Sequence, residues 1–249
     1  MPAHKDPSQF AVRQSMTSRW SETSVDGHAM PLYVCTPEHE IFGDVIVLME
    51  VFGLTDHVRD ICEKLAREGF RAIAPDLYYF LQGPRVFSTE TLNDALAATR
   101  ELTDARALQS INAIIAWRDQ KHLPLFLFGL CIGGRLAYAI GSERHAFDAI
   151  VGFYGTGIGH LQATPQSPTP QCPVFLAYGE QDPLIPASER MAVRERLEQA
   201  GIAHRLQVYL NAGHGFLCEQ REGYQREAAA NAFGDAITFM RETVLMRSC

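Results

Sequence analysis

The chain has 249 residues, 47% of them hydrophobic and 20% charged, with a formal net charge of −7 at neutral pH. That is enough chain to bury a core without help from metals or disulfides. The acidic balance, with no local run of lysine or arginine, argues against electrostatic capture of nucleic acid or of an anionic membrane. Six cysteines, at positions 35, 62, 131, 172, 218 and 249, form no C-x-x-C pair and no zinc spacing, so reduced thiols and no metal are expected. No segment is apolar enough to span a bilayer, and Met1 to Gln14 lacks the apolar core of a secretory signal, which points to the cytoplasm. Residues 1–16 read as a flexible lead-in, and residues 17–249 as one domain without repeats or a break in composition.

Two short alternating segments, Trp20 to Val25 and Met30 to Val34, flank Asp26-Gly27, a dipeptide that favours a tight hairpin. Residues 44–49 form a continuous apolar, β-branched run, the mark of a strand covered on both faces, and it ends at Glu50. After a Phe52-Gly53 turn, Thr55 or Asp56 caps a helix whose positions Val58, Ile61, Cys62 and Leu65 share one face, and Gly69 stops it. A strand over Arg71 to Ala74 leads into an irregular stretch, 75–87, that carries Tyr78, Tyr79 and Phe80. The spacing of Leu108, Ile111 and Ile115 predicts a helix over Leu102 to Trp117. Further strands fit 126–130, 149–153, 174–178 and 205–209, separated by a loop at 161–173 and a helix from about Ser188, with a last helix over Tyr224 to Thr243. Strands alternating with amphipathic helices imply a mostly parallel central sheet with helices on both faces, opened by an antiparallel hairpin. In such α/β sheets function gathers at the carboxyl ends of the strands.

The segment Phe126-Leu127-Phe128-Gly129-Leu130-Cys131-Ile132-Gly133-Gly134 drives a buried strand through a sharp turn into a helix, with Cys131 at the apex. The apex of such an elbow holds its side chain exposed, and the N-terminus of the following helix stabilises an anion there. A thiolate attacks carbonyls, although a small buried thiol also suits a crowded junction. Asp182 and His214 each fall just beyond the end of a later strand, supplying an acid and a base in the order nucleophile, acid, histidine. Taken singly, an Asp before Pro is a common turn residue, and a His among glycines a common loop residue. Glu50, at the tip of the 44–49 strand, is a fourth candidate, or else a surface carboxylate or a helix cap. The N–H groups of Val51 and Ile132 are the natural pair for an oxyanion hole.

The chain resembles the dienelactone hydrolase family of α/β-hydrolases. The resemblance rests on Glu50-Val51-Phe52-Gly53-Leu54, Ala74-Pro75-Asp76-Leu77-Tyr78, Gly129-Leu130-Cys131-Ile132-Gly133-Gly134, Tyr154-Gly155, Gly179 to Asp182 with Pro186, and Ala212-Gly213-His214-Gly215-Phe216. It implies an α/β-hydrolase fold and a hydrolase of lactones or esters, with Cys131 as nucleophile, His214 as base, Asp182 as its orienter and no cofactor. It further implies that Glu50 interacts with the resting thiol and swings away when substrate binds. The implied partner is a small ester or lactone, and a monomer or small homo-oligomer is expected.

One departure bears on the substrate. Family members that bind a substrate carboxylate carry an arginine two positions after the Pro-Asp-Leu-Tyr motif and another four after the histidine, where this chain has Phe80 and Cys218. Arg85 or Arg221 would be the substitutes. A less charged pocket is expected, with Tyr78, Tyr79, Phe80, Tyr154 and Phe216 as its walls. A redox-responsive binding protein on the same scaffold is the alternative from another class. A serine hydrolase through Ser88, Ser110 or Ser142 lacks an elbow.

Overall fold

The computed structural model describes residues 15–144, 146–161 and 169–247. The expected lead-in therefore lies almost wholly outside the described residues, as does most of the 161–173 loop. Strands β1 (Met16–Val25) and β2 (His28–Pro37) form the predicted hairpin, with Asp26 and Gly27 both at positive φ, as a two-residue turn of this hand requires. The remaining strands are β3 (Gly43–Leu48), β4 (Phe70–Pro75), β5 (Leu125–Leu130), β6 (Ala149–Phe153), β7 (Val174–Gly179) and β8 (His204–Tyr209). They make one eight-stranded sheet in the order β1-β2-β4-β3-β5-β6-β7-β8. β1 and β2 pair antiparallel, β2 pairs antiparallel with β4, and every other pair is parallel.

Every residue of β3 to β7 is buried, which is why these strands read as continuous apolar runs rather than alternating ones. The helices are α1 (Asp56–Arg67), α2 (Leu92–Glu101), α3 (Asp104–Trp117), α4 (Ile132–Glu143), α5 (Ala187–Gln199) and α6 (Arg226–Arg247). In α1 the buried face contains Val58, Ile61, Cys62 and Leu65, as the spacing predicts, and Thr55 is the capping position. The helix predicted from Leu102 starts at Asp104, where the Thr103 hydroxyl accepts from the N–H of Arg106; Leu102 and Thr103 turn the chain between two helices. Its buried face centres on Ile111 and Ile114, with Leu108 and Ile115 only partly covered. Helix α2 has no counterpart in the sequence reading, because it buries only Ala95 and Ala98 and leaves Leu92 and Leu96 exposed. Helix α6 runs two residues later at its start and four at its end than its pattern suggests.

At the amino-terminal edge of the sheet, the fully buried carboxylate of Asp44 takes hydrogen bonds from Arg71 Nε (2.7 Å), Arg71 Nη2 (2.8 Å) and Arg118 Nε (2.5 Å). Arg71 also donates to Asp119, and Arg118 to the carbonyls of Gln120 and Leu123. This closed network ties β3, β4 and the end of α3 together, and the opposite edge is left for chemistry.

Candidate active site

The turn between β5 and α4 places Cys131 at φ 54° and ψ −118°, a conformation that costs a non-glycine residue about 1–3 kcal/mol and persists only where its surroundings enforce it. The enforcement is close packing. A Cβ on Gly129 would sit 2.0 Å from the carbonyl oxygen of Gly133, and one on Gly133 only 2.4 Å from that of Leu48. The first turn of α4 thus lies against the end of β3. The N–H of Cys131 donates to the Phe153 carbonyl and fixes the apex to β6.

Asp182 follows β7 and is buried. Its Oδ1 accepts from the N–H of Leu184 (2.9 Å), which leaves Oδ2 to face His214. His214 follows β8 through Asn211, another non-glycine residue at positive φ. The N–H of Gln181 donates to the Ala212 carbonyl, tying the Asp182 loop to that of His214. His214 Nδ1 lies 2.8 Å from Asp182 Oδ2, and His214 Nε2 lies 3.3 Å from Cys131 Sγ. Sulfur, imidazole and carboxylate therefore form one hydrogen-bonded chain. Burial pulls the His214 pKa down, but the hydrogen bonds and charges of Asp182 and Cys131 outweigh it and lift the value to about 10.

The carboxylate of Glu50 is buried, and its contact differs from the one the resemblance implies. Both oxygens are taken by Arg221, Oε1 by Nη1 at 3.2 Å and Oε2 by Nη2, while the guanidinium lies 4.5 Å from the centre of the Phe52 ring. Among the described residues no hydrogen bond joins Glu50 to Cys131. His57, on the first turn of α1, lies within electrostatic reach of this pair, and its buried Nε2 has no hydrogen-bond partner. Burial lowers the His57 pKa; Glu50 opposes that effect and Arg221 reinforces it.

The five aromatic wall candidates divide. Tyr78, Tyr154 and Phe216 are fully buried behind the triad, with the Tyr154 ring edge-on to His214 (5.2 Å) and to Phe216 (5.6 Å). Tyr79 and Phe80 are partly exposed, and the guanidinium of Arg106 covers the Phe80 ring at 3.9 Å. Cys218 is buried, with its Sγ 3.3 Å from Gln220 Oε1. Of the two substitute arginines, Arg85 pairs with Asp76 (2.9 Å) and Arg221 with Glu50. Sequence reasoning missed Arg106, whose only signal was a charged residue near the start of a helix. A separate cleft of about 550 Å³ between α1 and α6, bordered by Lys64, Leu217, Tyr224 and Ile237, contains none of the triad. Among the described residues no group of three or more His, Cys, Asp or Glu side chains is placed to hold a metal, and no helix is long and apolar enough to cross a membrane.

A mostly parallel sheet with a strained strand-turn-helix elbow, and an aspartate and a histidine beyond later strands, is an α/β-hydrolase fold. The sequence pattern of the dienelactone hydrolase family matches residues 30–244, and the chain belongs to that family. It is 32% identical over 219 residues to a Salmonella typhimurium protein named "Putative carboxymethylenebutenolidase", covering 83% of this chain and 80% of that one. A protein of the same name from Synechocystis is 34% identical over 203 residues, covering 76% and 81%. The crystal structure of a "Putative Dienelactone Hydrolase" from Klebsiella pneumoniae superposes with a TM-score of 0.76 at 29% identity, over 89% of this chain and 98% of that one. The chain is a hydrolase of the lactone and ester type.

Proposed function

We propose that this hydrolase cleaves a small lactone or carboxylic ester through a thioester on Cys131. The observation that carries the reading is the Cys131–His214–Asp182 chain, 3.3 and 2.8 Å, seated at a strained elbow. With the proton already on His214, whose pKa stands at about 10, sulfur attacks the carbonyl carbon, and Asp182 keeps Nδ1 protonated and the ring in place. The N–H groups of Val51 and Ile132 receive the oxyanion. Neither has a backbone acceptor among the described loop and cap hydrogen bonds. Collapse of the tetrahedral intermediate breaks the C–O bond, and His214 returns its proton to the leaving oxygen, which in a lactone stays attached to the acyl chain. A water molecule that gives its proton to His214 then attacks the thioester, and sulfur leaves with that proton remaining on His214. The sum is ester plus water to acid plus alcohol.

Residues 17–249 act as one domain, in the cytoplasm, as a monomer or small homo-oligomer. Tyr79 faces the substrate, Phe80 lies beneath Arg106, and Tyr78, Tyr154 and Phe216 back the triad. With Phe80 and Cys218 in place of cations, with Arg85 and Arg221 both engaged by carboxylates, and with Arg106 laid on the Phe80 ring and bonded to the Glu101 carbonyl, the favoured substrate carries no carboxylate of its own. The test is kcat/KM on esters and lactones matched in size, with and without a carboxylate. Cys131→Ala and His214→Ala are each expected to lower turnover by about a thousandfold or more while the protein still folds and melts cooperatively. Wild-type turnover by either variant would sink the triad. A strong preference for the carboxylated members would mean that Arg221 leaves Glu50 for the substrate.

A further inference from the structure

Tyr78 follows β4 and is fully buried, so its ring offers a substrate no open face. Its hydroxyl lies 2.9 Å from the Val51 carbonyl oxygen and 2.8 Å from Thr99 Oγ1, which belongs to α2. Thr99 Oγ1 is also 2.8 Å from the carbonyl of Ala95, one turn earlier. Three oxygen–oxygen contacts thus share two hydrogens. A carbonyl cannot donate, so the Val51 contact requires the Tyr78 hydrogen. The Thr99 hydrogen is left for the Ala95 carbonyl, to which Thr99 Oγ1 donates, and for the Tyr78 oxygen. The Tyr78 hydroxyl, held against Thr99, therefore donates to the Val51 carbonyl.

The carbonyls on either side of Val51 are held as well. Glu50 O, which shares a peptide plane with the Val51 N–H, accepts from the N–H of Gly53 at 3.1 Å, and Phe52 O accepts from the N–H of Phe87 at 2.9 Å. Gly53 also bridges to Val86, and its missing side chain makes room for the Arg85 carbonyl, which lies 2.1 Å from where a Cβ would be. Three consecutive peptide carbonyls, 50 to 52, are pinned, and the middle one is pinned by side chains alone. We propose that Tyr78 and Thr99 are positioning residues for the oxyanion hole: α2, through Thr99 and then Tyr78, clamps the peptide that follows the Val51 N–H and fixes its aim. This rests on the reading of Val51 as an oxyanion donor. Burial raises the Tyr78 pKa, so the hydroxyl remains a donor into the alkaline range.

An oxyanion donor works only when it is preorganised where charge develops, and a small misplacement is costly. Tyr78→Phe removes the donor and leaves the Val51 carbonyl unanswered. Turnover of an aryl ester should fall about tenfold in kcat with KM nearly unchanged, the effect of one buried hydrogen bond. Thr99→Val should lower kcat by about threefold, and Thr99→Ser should restore it. Two further readouts separate aim from general loosening. An aldehyde analogue of the acyl group forms a hemithioacetal whose oxyanion occupies the hole, and its affinity should fall about tenfold in Tyr78→Phe, in step with kcat. Alkylation of Cys131 by iodoacetamide, which forms no oxyanion, should proceed at the wild-type rate. Wild-type kcat and aldehyde affinity in Tyr78→Phe would overturn the proposal, as would an equal fall in alkylation rate. A wild-type protein that turns over no ester would instead sink the hydrolytic reading itself.

Discussion

Strand β3 carries a carboxylate at each end, and the two are answered differently. Asp44 at its start is fully buried and receives three hydrogen bonds from two arginines that are themselves buried and further bonded. Glu50, just past its end, is 1% exposed but is met by one arginine, Arg221, which is 23% exposed and reached from a loop. Around Glu50, other polar groups are unsettled. Thr55 Oγ1, His57 Nε2 and Tyr154 Oη are buried without partners. Among the described residues, three of the four non-glycine residues at positive φ, Cys131, Tyr154 and Asn211, follow β5, β6 and β8 at this same edge. One end of the sheet spends its charges on being held together. The other keeps strain and unsatisfied polarity, which a reacting molecule can use.

The sharpest way to break this comparison is to remove the two carboxylates in turn. Asp44→Ala strands Arg71 and Arg118 without a countercharge, and should lower unfolding free energy by about 3–5 kcal/mol with little change in kcat/KM of the folded enzyme. Denaturant unfolding beside steady-state kinetics measures both. Glu50→Gln should do the reverse: kcat/KM falls about tenfold, while stability drops by about 1 kcal/mol because Arg221 can turn to water. Equal stability losses in the two variants would erase the distinction between the edges.

A smaller effect follows from His214. The folded protein holds its imidazole proton up to about pH 10, whereas the unfolded chain releases it near the ordinary histidine value of 6.5. Stability from this group is complete below about 6.5 and is lost as pH climbs toward about 10. Melting temperatures of the wild type should therefore decline across that window, and His214→Gln should flatten the decline. Parallel curves for the two proteins would contradict the coupling of His214 to Asp182 and Cys131.

Much of this was legible in the residues because it depends on local rules. Continuous apolar runs marked β3 to β7, Asp26-Gly27 marked the hairpin, and glycines around Cys131 marked the elbow. The order of Cys131, Asp182 and His214 followed from strand ends. Contacts between distant residues were not legible. Arg221 meets Glu50 across 171 positions, and nothing in either neighbourhood announces the pairing. Tyr78 reads as a pocket wall until Thr99 is brought to it by α2, a helix whose buried side is only alanine and so leaves no amphipathic trace. Phe80 reads as an open aromatic surface until Arg106 is seen to cover it.

The central claim is that an acyl group passes through the sulfur of Cys131. Mixing the protein with an activated aryl ester, quenching in acid within the first turnover and mapping peptides by mass spectrometry tests it directly. One acyl group is expected on the peptide that contains Cys131, released by hydroxylamine as a thioester is, and absent from Cys131→Ala. An acyl group on any other residue, with Cys131 unmodified while product forms, would contradict it.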